Sequence, residues 1–352
     1  MADNKNIVRN GKIRVAVDAM GGDYAPEEVV KGAVLAAQKD DVEIFLVGAA
    51  DILEQELAKY RPTNGSFIHV VGASQVIKEN ESPVDVIRRK PDCSVAVAAK
   101  MVKSGEADAL FSAGSSGAAA ISAIQFIGMV DGMYRPALVG SLGSFAPNTV
   151  MVDLGANVDC KPDQFLAFAI AGSVYARRFL NITDPKIALL STGSEESKGN
   201  DAVREAHLLL KNSGLNFIGN IEGGDILNGK ANVIVCDGFV GNVLLKFYES
   251  IGGYAQVWTE AKLKKHPPLR ALVRLLFKEL FPATRISSES EKQGGGILWG
   301  VDGIVKIAHG ASRAPQIANA IESAKEAVKA GVVESLKAEL AKLDLSKNQP
   351  GR

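Results

Sequence analysis

Apolar and polar positions along this chain follow two rhythms. Short, near-continuous apolar runs at Ile13–Asp18, Val42–Gly48, Phe67–Val71, Ala109–Phe111, Lys186–Leu190 and Asn232–Cys236 predict strands. The first is of the kind buried on both faces of a parallel sheet. Between them, Ile52–Tyr60, Ser94–Lys103, Pro162–Leu180 and Asp201–Asn212 predict helices. Pro26-Glu27-Glu28 puts proline at a first helical position with acids in the first turn, and Gly105 supplies a C-terminal stop. Ser82-Pro83 opens a further helix carrying Arg88, Arg89 and Lys90, and Ala118–Met129 reads as a helix of small residues. Ala137–Leu142 and Thr149–Leu154 read as two strands joined by a turn, and a helix follows from about Val240. Near the C-terminus, Gly294–Gly300 leads into a strand, Ile304–Ala308 is another, and Ala314–Leu343 forms one or two helices. Strand–helix alternation of this kind predicts an α/β fold with a mostly parallel sheet.

Several predicted strands end in the same grammar. Arg14–Pro26 runs from an apolar strand through Asp18, Gly21, Gly22 and Asp23 into a helix start. Ser112–Gly117, Asp153–Asn157, Ser191–Asn200 and Asp237–Asn242 repeat it. Ligands of open α/β sheets bind just beyond the carboxyl ends of strands. Backbone N–H groups in glycine-, serine- and asparagine-bearing turns and at helix N-termini favour anions. These loops are therefore expected to meet around one site taking a phosphate-type ligand.

Familiar nucleotide and hydrolase motifs are missing. No GxGxxG occurs. Gly224–Lys230 has phosphate-loop spacing, but Ala231 stands where Ser or Thr would hold magnesium, and the segment leads into a strand. HExxH, GxSxG and metal-spaced His/Cys clusters are absent, so no metal is expected.

Composition narrows the reading further. The chain has 352 residues, enough for one large or two intimately joined α/β lobes, and its 47% apolar content is ample for a core. A formal net charge of zero argues against nucleic acid as the main partner. Cys93, Cys160 and Cys236 are widely spaced, as in a cytosolic protein with reduced thiols, and no flanking base marks any of them as a nucleophile. The polar Met1–Asn10 stretch is no secretory signal. The longest uncharged run, Ala109–Val130, is Ser/Gly-rich in its first half, unlike the ~20 predominantly apolar residues of a membrane span.

Individual side chains sharpen the chemistry. In Ser191–Asn200, Lys198 offers a positive charge to an oxyanion and Asn200 a cap for the next helix. His309, at a strand end beside Gly310, offers an acid or base, whereas His69, His207 and His266 read as structural. In Pro268–Pro282, Leu269, Leu272, Val273, Leu276 and Leu280 recur at helical spacing opposite a stripe of Arg270, Arg274 and Lys278. That pattern suits a helix lying on an anionic bilayer surface or buried in a subunit interface.

With these residues in view, the chain resembles the bacterial phosphate acyltransferases of the PlsX type. The matching stretches are Val17–Asp23, Phe111–Ala118, Asp153–Pro162, Gly219–Gly223, Val235–Lys246 and Gly303–Ser312, in order over almost the whole chain. The resemblance implies an α/β/α sandwich related to isopropylmalate dehydrogenases and phosphotransacetylases. One catalytic domain is expected over residues 11–345, with 258–285 a helical protrusion for dimer or membrane contact and tails at 1–10 and 346–352. It also implies a homodimer that transfers a fatty acyl group from acyl-carrier protein to inorganic phosphate without a cofactor. The acyl phosphate would feed phospholipid synthesis through a downstream glycerol-3-phosphate acyltransferase, at the cytoplasmic face of an anionic membrane.

The expected site follows from both readings. Lys198, Asn200 and His309 are the catalytic candidates; phosphate is expected among Ser115, Ser116, Gly117, Asn157, Lys198 and Asn200. Asp18, Gly21, Gly22, Asp23, Asp153, Asp237, Gly238 and Asn242 complete the binding loops, with the acids at 18, 23 and 237 and Asn242 as loop-holders. Arg88, Arg89, Lys90, Arg177 and Arg178 are candidate docking points for an acidic carrier protein. Alternatives are a phosphotransacetylase using acyl-coenzyme A and a nicotinamide-dependent β-decarboxylating dehydrogenase.

Overall fold

A computed structural model describes residues 11–39, 41–60, 67–77, 81, 89–141, 146, 148–263 and 294–342. The helix expected at Ser82-Pro83, the basic helix Leu269–Phe281 and both tails lie outside the described residues. In chain order the first elements are β1 (Ile13–Asp18), α1 (Glu27–Ala37), β2 (Val42–Gly48), α2 (Ala50–Ala58) and β3 (Ile68–Gly72). Then come α3 (Ser94–Ser104), β4 (Ala109–Ser112), α4 (Ser116–Ser122), β5 (Ala137–Ser141), β6 (Val150–Val152), α5 (Pro162–Phe179), β7 (Ile187–Leu190) and α6 (Asp201–Lys211). β8 (Phe217–Ile221), β9 (Val233–Val235), α7 (Gly238–Lys262), β10 (Gly296–Trp299), β11 (Ile304–Ile307), α8 (Ala314–Lys329) and α9 (Val332–Lys342) complete the chain.

Chain contacts divide into two compact units, residues 1–136 with 292–338 and residues 137–291 with 339–352. In the first, strands run in the order β3-β2-β1-β4-β11-β10. All pair in parallel except β10, which is antiparallel to β11. Val15, Ala16 and Val17 of β1 are fully buried, which is why the strand shows no alternation. Helix α1 packs on α8 at close range: a Cβ on Gly32 would lie 2.6 Å from Ile317. Gly105 ends α3 at φ 73°, the left-handed stop its position predicts.

The expected helix Ala118–Met129 takes another form. Ser115 caps it, so α4 begins at Ser116, and a π-helical turn, Ala123–Ile127, replaces its second half. Gly128, at φ 96°, closes it.

The second unit orders its strands β5-β6-β9-β7-β8. β5 and β6 are antiparallel and the others parallel. Helix α5 presses Gly172 against Val233 and Val152, side chains of β9 and β6. β8 has no clear apolar run. Gly219 interrupts it at φ 98°, and its register with β7 shifts between Ile187 and Leu189. Each unit thus shows the α/β class and mostly parallel pairing that the strand–helix alternation predicts.

Candidate active site

In the first unit the site region is organised by Asp18. The carboxylate is 3% exposed; Oδ1 accepts from Ser94 Oγ at 2.6 Å and Oδ2 from Ser112 Oγ at 2.7 Å. Burial pushes its pKa up, while these hydroxyls and the backbone amides of Met20 and Gly21 oppose that shift. Ser112 Oγ in turn accepts from Gly114 N–H at 3.0 Å, tying the β1 loop to the β4 loop. A Cβ at Gly21 would collide with Asp18 and lie 2.8 Å from Gly114 N, so this glycine permits the approach of two backbones. Asp23 is exposed, its N–H donates to Gly310 O at 2.9 Å, and Gly22 sits at φ 115°.

Ser115, Ser116 and Gly117 are all exposed, and Ser115 Oγ accepts from Ala118 N–H as the α4 cap. His309 is exposed as well, and its Nδ1 accepts from Ala311 N–H at 3.1 Å. The neutral ring therefore carries its hydrogen on Nε2.

In the second unit Asp153 is fully buried and fully bonded. Oδ1 accepts from the N–H groups of Leu138, Gly155 and Ala156 at 3.0–3.1 Å, and Oδ2 from the backbone and side-chain nitrogens of Asn157 at 2.7 and 2.8 Å. Asn157 is itself buried, its amide occupied by Asp153. Both residues are thus loop-holders here. Gly238 N–H donates to Asn157 O at 2.7 Å, and a Cβ there would fall 2.6 Å from that same oxygen. Asp237 Oδ1 accepts from Val240 N–H at 2.8 Å and so caps α7, and Asn242 is exposed one turn further on. Burial pushes the Cys236 thiol far up and the Cys93 thiol up, so neither is an activated nucleophile.

The Ser191–Asn200 loop, also in the second unit, differs from these. Lys198 is exposed, and no carboxylate among the described residues pairs with its ammonium. Its stem lies over Gly193, where a Cβ would be 2.7 Å from Lys198 Cγ. Asn200 Oδ1 accepts from Val203 N–H at 2.9 Å, capping α6 as the sequence predicts. Ser191 Oγ is buried with no hydrogen-bond partner among the described residues. Lys198 and the capped start of α6 lie on one loop and are groups of the kind that suit an anion.

Among the docking candidates, Lys90 is tied to Glu81 at 2.7 Å and to Val76 O, and Arg177 to Glu339 at 3.0 Å. Arg89 and Arg178 are exposed, and Arg88 lies outside the described residues. Lys230 of the phosphate-loop lookalike pairs with Asp225 beside a 3-10 helix, Gly223–Asn228. Sequence reasoning missed the serines that hold Asp18 and the buried Lys306 of β11. Ser94 and Ser112 sit 76 and 94 positions away, beyond any local pattern. Lys306 interrupts an apolar strand, a signal that was visible.

Known proteins resemble this chain over most of its length. Residues 13–335 match the family described as "Fatty acid synthesis protein". The chain is 41% identical over 333 residues to a phosphate acyltransferase of Pelotomaculum thermopropionicum, covering 95% of this chain and 96% of that protein. It is 43% identical over 330 residues to one of Thermosynechococcus vestitus, covering 93% and 95%. Among solved structures it is similar in fold to a phosphotransacetylase from Streptococcus pyogenes, with a TM-score of 0.62 at 18% identity over 92% of this chain and 94% of that one. The EutD phosphotransacetylase from Staphylococcus aureus gives 0.59 at 18% identity, covering 91% and 94%.

Proposed function

This chain belongs to the phosphate acyltransferase family, and from that membership we propose that it moves a fatty acyl group from acyl-carrier protein to inorganic phosphate. The acyl phosphate formed serves phospholipid synthesis. That the chain is an acyltransferase follows from its relatives; the carrier-protein donor and the lipid destination are the proposal.

The chemistry asks little of a protein nucleophile. A phosphate oxygen attacks the thioester carbonyl carbon, the carbon–sulfur bond breaks, and the sulfur leaves as thiolate and takes up a proton. The protein must hold the dianion against the carbonyl and stabilise the developing oxyanion, for which one well-placed donor is worth roughly 3–4 kcal/mol. The observation that carries the assignment is the Ser191–Asn200 loop, where Lys198 is exposed and pairs with no carboxylate among the described residues. In this reading Lys198 and Asn200 hold phosphate, Ser115, Ser116 and Gly117 are further candidate phosphate contacts, and His309 Nε2–H hydrogen-bonds the departing sulfur, whose proton is the one the attacking hydrogen phosphate gives up. Asp18, Asp153, Asn157 and Asp237 keep the loops in shape.

The test is acyl phosphate formation from purified protein, acyl-carrier protein and phosphate, trapped with hydroxylamine and matched to thiol release. Phosphate-dependent product in equal amount to thiol is expected. Faster turnover of acyl-coenzyme A would transfer the assignment to a phosphotransacetylase-like activity, and thiol release without acyl phosphate would remove it.

The homodimer is proposed with it. Support comes from α7, where Phe239, Val243, Phe247, Ile251, Tyr254 and Trp258 recur at helical spacing and all stand 43–74% exposed. No helix among the described residues is long and apolar enough to cross a membrane. Surface association is assigned to Leu269–Phe281, and L276E is expected to weaken liposome binding; unchanged binding would exclude that helix. Docking of carrier protein falls to exposed Arg89 and Arg178, and an affinity indifferent to salt would contradict it.

A further inference from the structure

The second unit contains a buried side-chain relay ending in the turn that carries Lys198. His207 of α6 is 3% exposed, with its ring edge-on to Phe217 of β8 at 5.1 Å. Its Nδ1 lies 2.8 Å from Oδ1 of Asn220, itself 7% exposed in β8. The Asn220 amide nitrogen donates to Glu195 O at 2.9 Å. That carbonyl also accepts the backbone N–H of Lys198 at 3.1 Å. Only the NH2 end of Asn220 serves a carbonyl, so its oxygen faces the imidazole and Nδ1 must carry a hydrogen. On the other side of the ring, Nε2 is 3.6 Å from Glu196, which also holds Lys211 at 2.6 Å. The imidazole is therefore held through its Nδ1–H, and that bond leads through Asn220 to the exposed loop.

We propose that His207 and Asn220 are positioning residues for phosphate: they fix the Glu195–Lys198 turn from the protein interior and so aim the Lys198 ammonium. The inference rests on Ser191–Asn200 being the phosphate loop. A lysine stem loses much rotamer freedom when fixed, and a loop flanked by Gly193 and Gly199 supplies little rigidity of its own. Support from a strand and a helix places that order in the folded state before phosphate arrives, and an ordering cost removed beforehand appears as affinity. His207 touches no substrate in this scheme. It acts through Asn220, Asn220 through a backbone carbonyl, and the carbonyl through the turn.

Four variants, H207L, H207N, N220A and K198A, test the idea when phosphate KM, acyl-donor KM, kcat and melting temperature are measured for each. H207L removes the donor at similar bulk and is expected to raise phosphate KM by about fivefold to tenfold, the size of one hydrogen bond to a neutral group, with acyl-donor KM unmoved. H207N places an amide nitrogen near the lost Nδ1–H and is expected to recover most of that loss, which a role in packing alone does not predict. N220A removes the loop-facing donor directly and should match H207L. In a K198A background H207L should add nothing further, because it acts through that lysine. Should H207L fail to fold, N220A decides. Wild-type phosphate KM in N220A, with K198A impaired, overturns the relay and leaves the phosphate loop standing. Wild-type phosphate KM in K198A itself overturns the loop assignment on which the relay depends.

Discussion

Asp18 and Asp153 each close the carboxyl end of a strand, both are buried, and both start a glycine-bearing loop, yet they are held by different donors. Asp18 takes one bond per oxygen from the hydroxyls of Ser94 and Ser112, in addition to nearby amides. Asp153 takes all five of its bonds from N–H groups, four of them backbone. A hydroxyl turns to donate or accept, whereas a backbone N–H only donates and cannot move. The acid at 153 is therefore demanded by its surroundings, and the acid at 18 is only preferred. In both loops the carboxylate is occupied internally; the proposed function gives the phosphate instead to Lys198, which has no such duty.

Substitution to asparagine separates the two. D153N turns an NH2 group against fixed N–H donors and should destabilise the protein by about 3 kcal/mol or more, read as the loss in urea unfolding free energy. D18N leaves an oxygen for the amides and presents its NH2 to a hydroxyl that can rotate to accept, so a loss nearer 1 kcal/mol is expected. Equal losses would dissolve the distinction between fixed and rotatable donors.

Lys306 extends the contrast to a base. It is 3% exposed, and among the described residues its ammonium donates only to Gly295 O at 2.6 Å and Ser323 Oγ at 3.0 Å, both neutral. Burial pushes its pKa down to about 7 from an ordinary 10.5. Below pH 7 the folded protein must keep a buried charge, so the lysine penalises folding most there. Between about pH 7 and the ordinary value the unfolded chain binds the extra proton, and stability rises with pH by at most about 1.4 kcal/mol per unit. Wild type should therefore gain on K306M from pH 7 to pH 9 in melting experiments; parallel pH profiles would show the lysine stays charged. The smallest effect is expected from S94A, about 1 kcal/mol from one hydrogen bond, with Ser112 still in place. A loss as large as that of D153N would mean that the hydroxyl is as indispensable as an amide.

Local features were legible in the sequence. Apolar runs marked β1, β7 and β9 because buried parallel strands carry no alternation, and Asn200 and Gly105 marked helix ends because caps are chosen by local backbone need. β8 stayed hidden because Gly219 breaks its run, and the π-helical turn after Ser122 leaves no trace in a stretch of small residues. At the site, glycine and acid positions were visible as turn chemistry. What each acid does depended on Ser94, Ser112 and Leu138, contributed from distant parts of the chain. His207 read as structural, and its burial agrees; its link to Glu195 needed the register that places Asn220 opposite Leu189.

The most direct test of Lys198 as the phosphate-binding cation is the initial rate of acyl phosphate formation against phosphate concentration, in wild type and K198A. Wild type should saturate, and K198A should need about tenfold more phosphate or beyond, with its demand for acyl donor unchanged, as expected for loss of a charge-assisted contact worth about 1.4 kcal/mol or more. A K198A curve lying on the wild-type curve would contradict it.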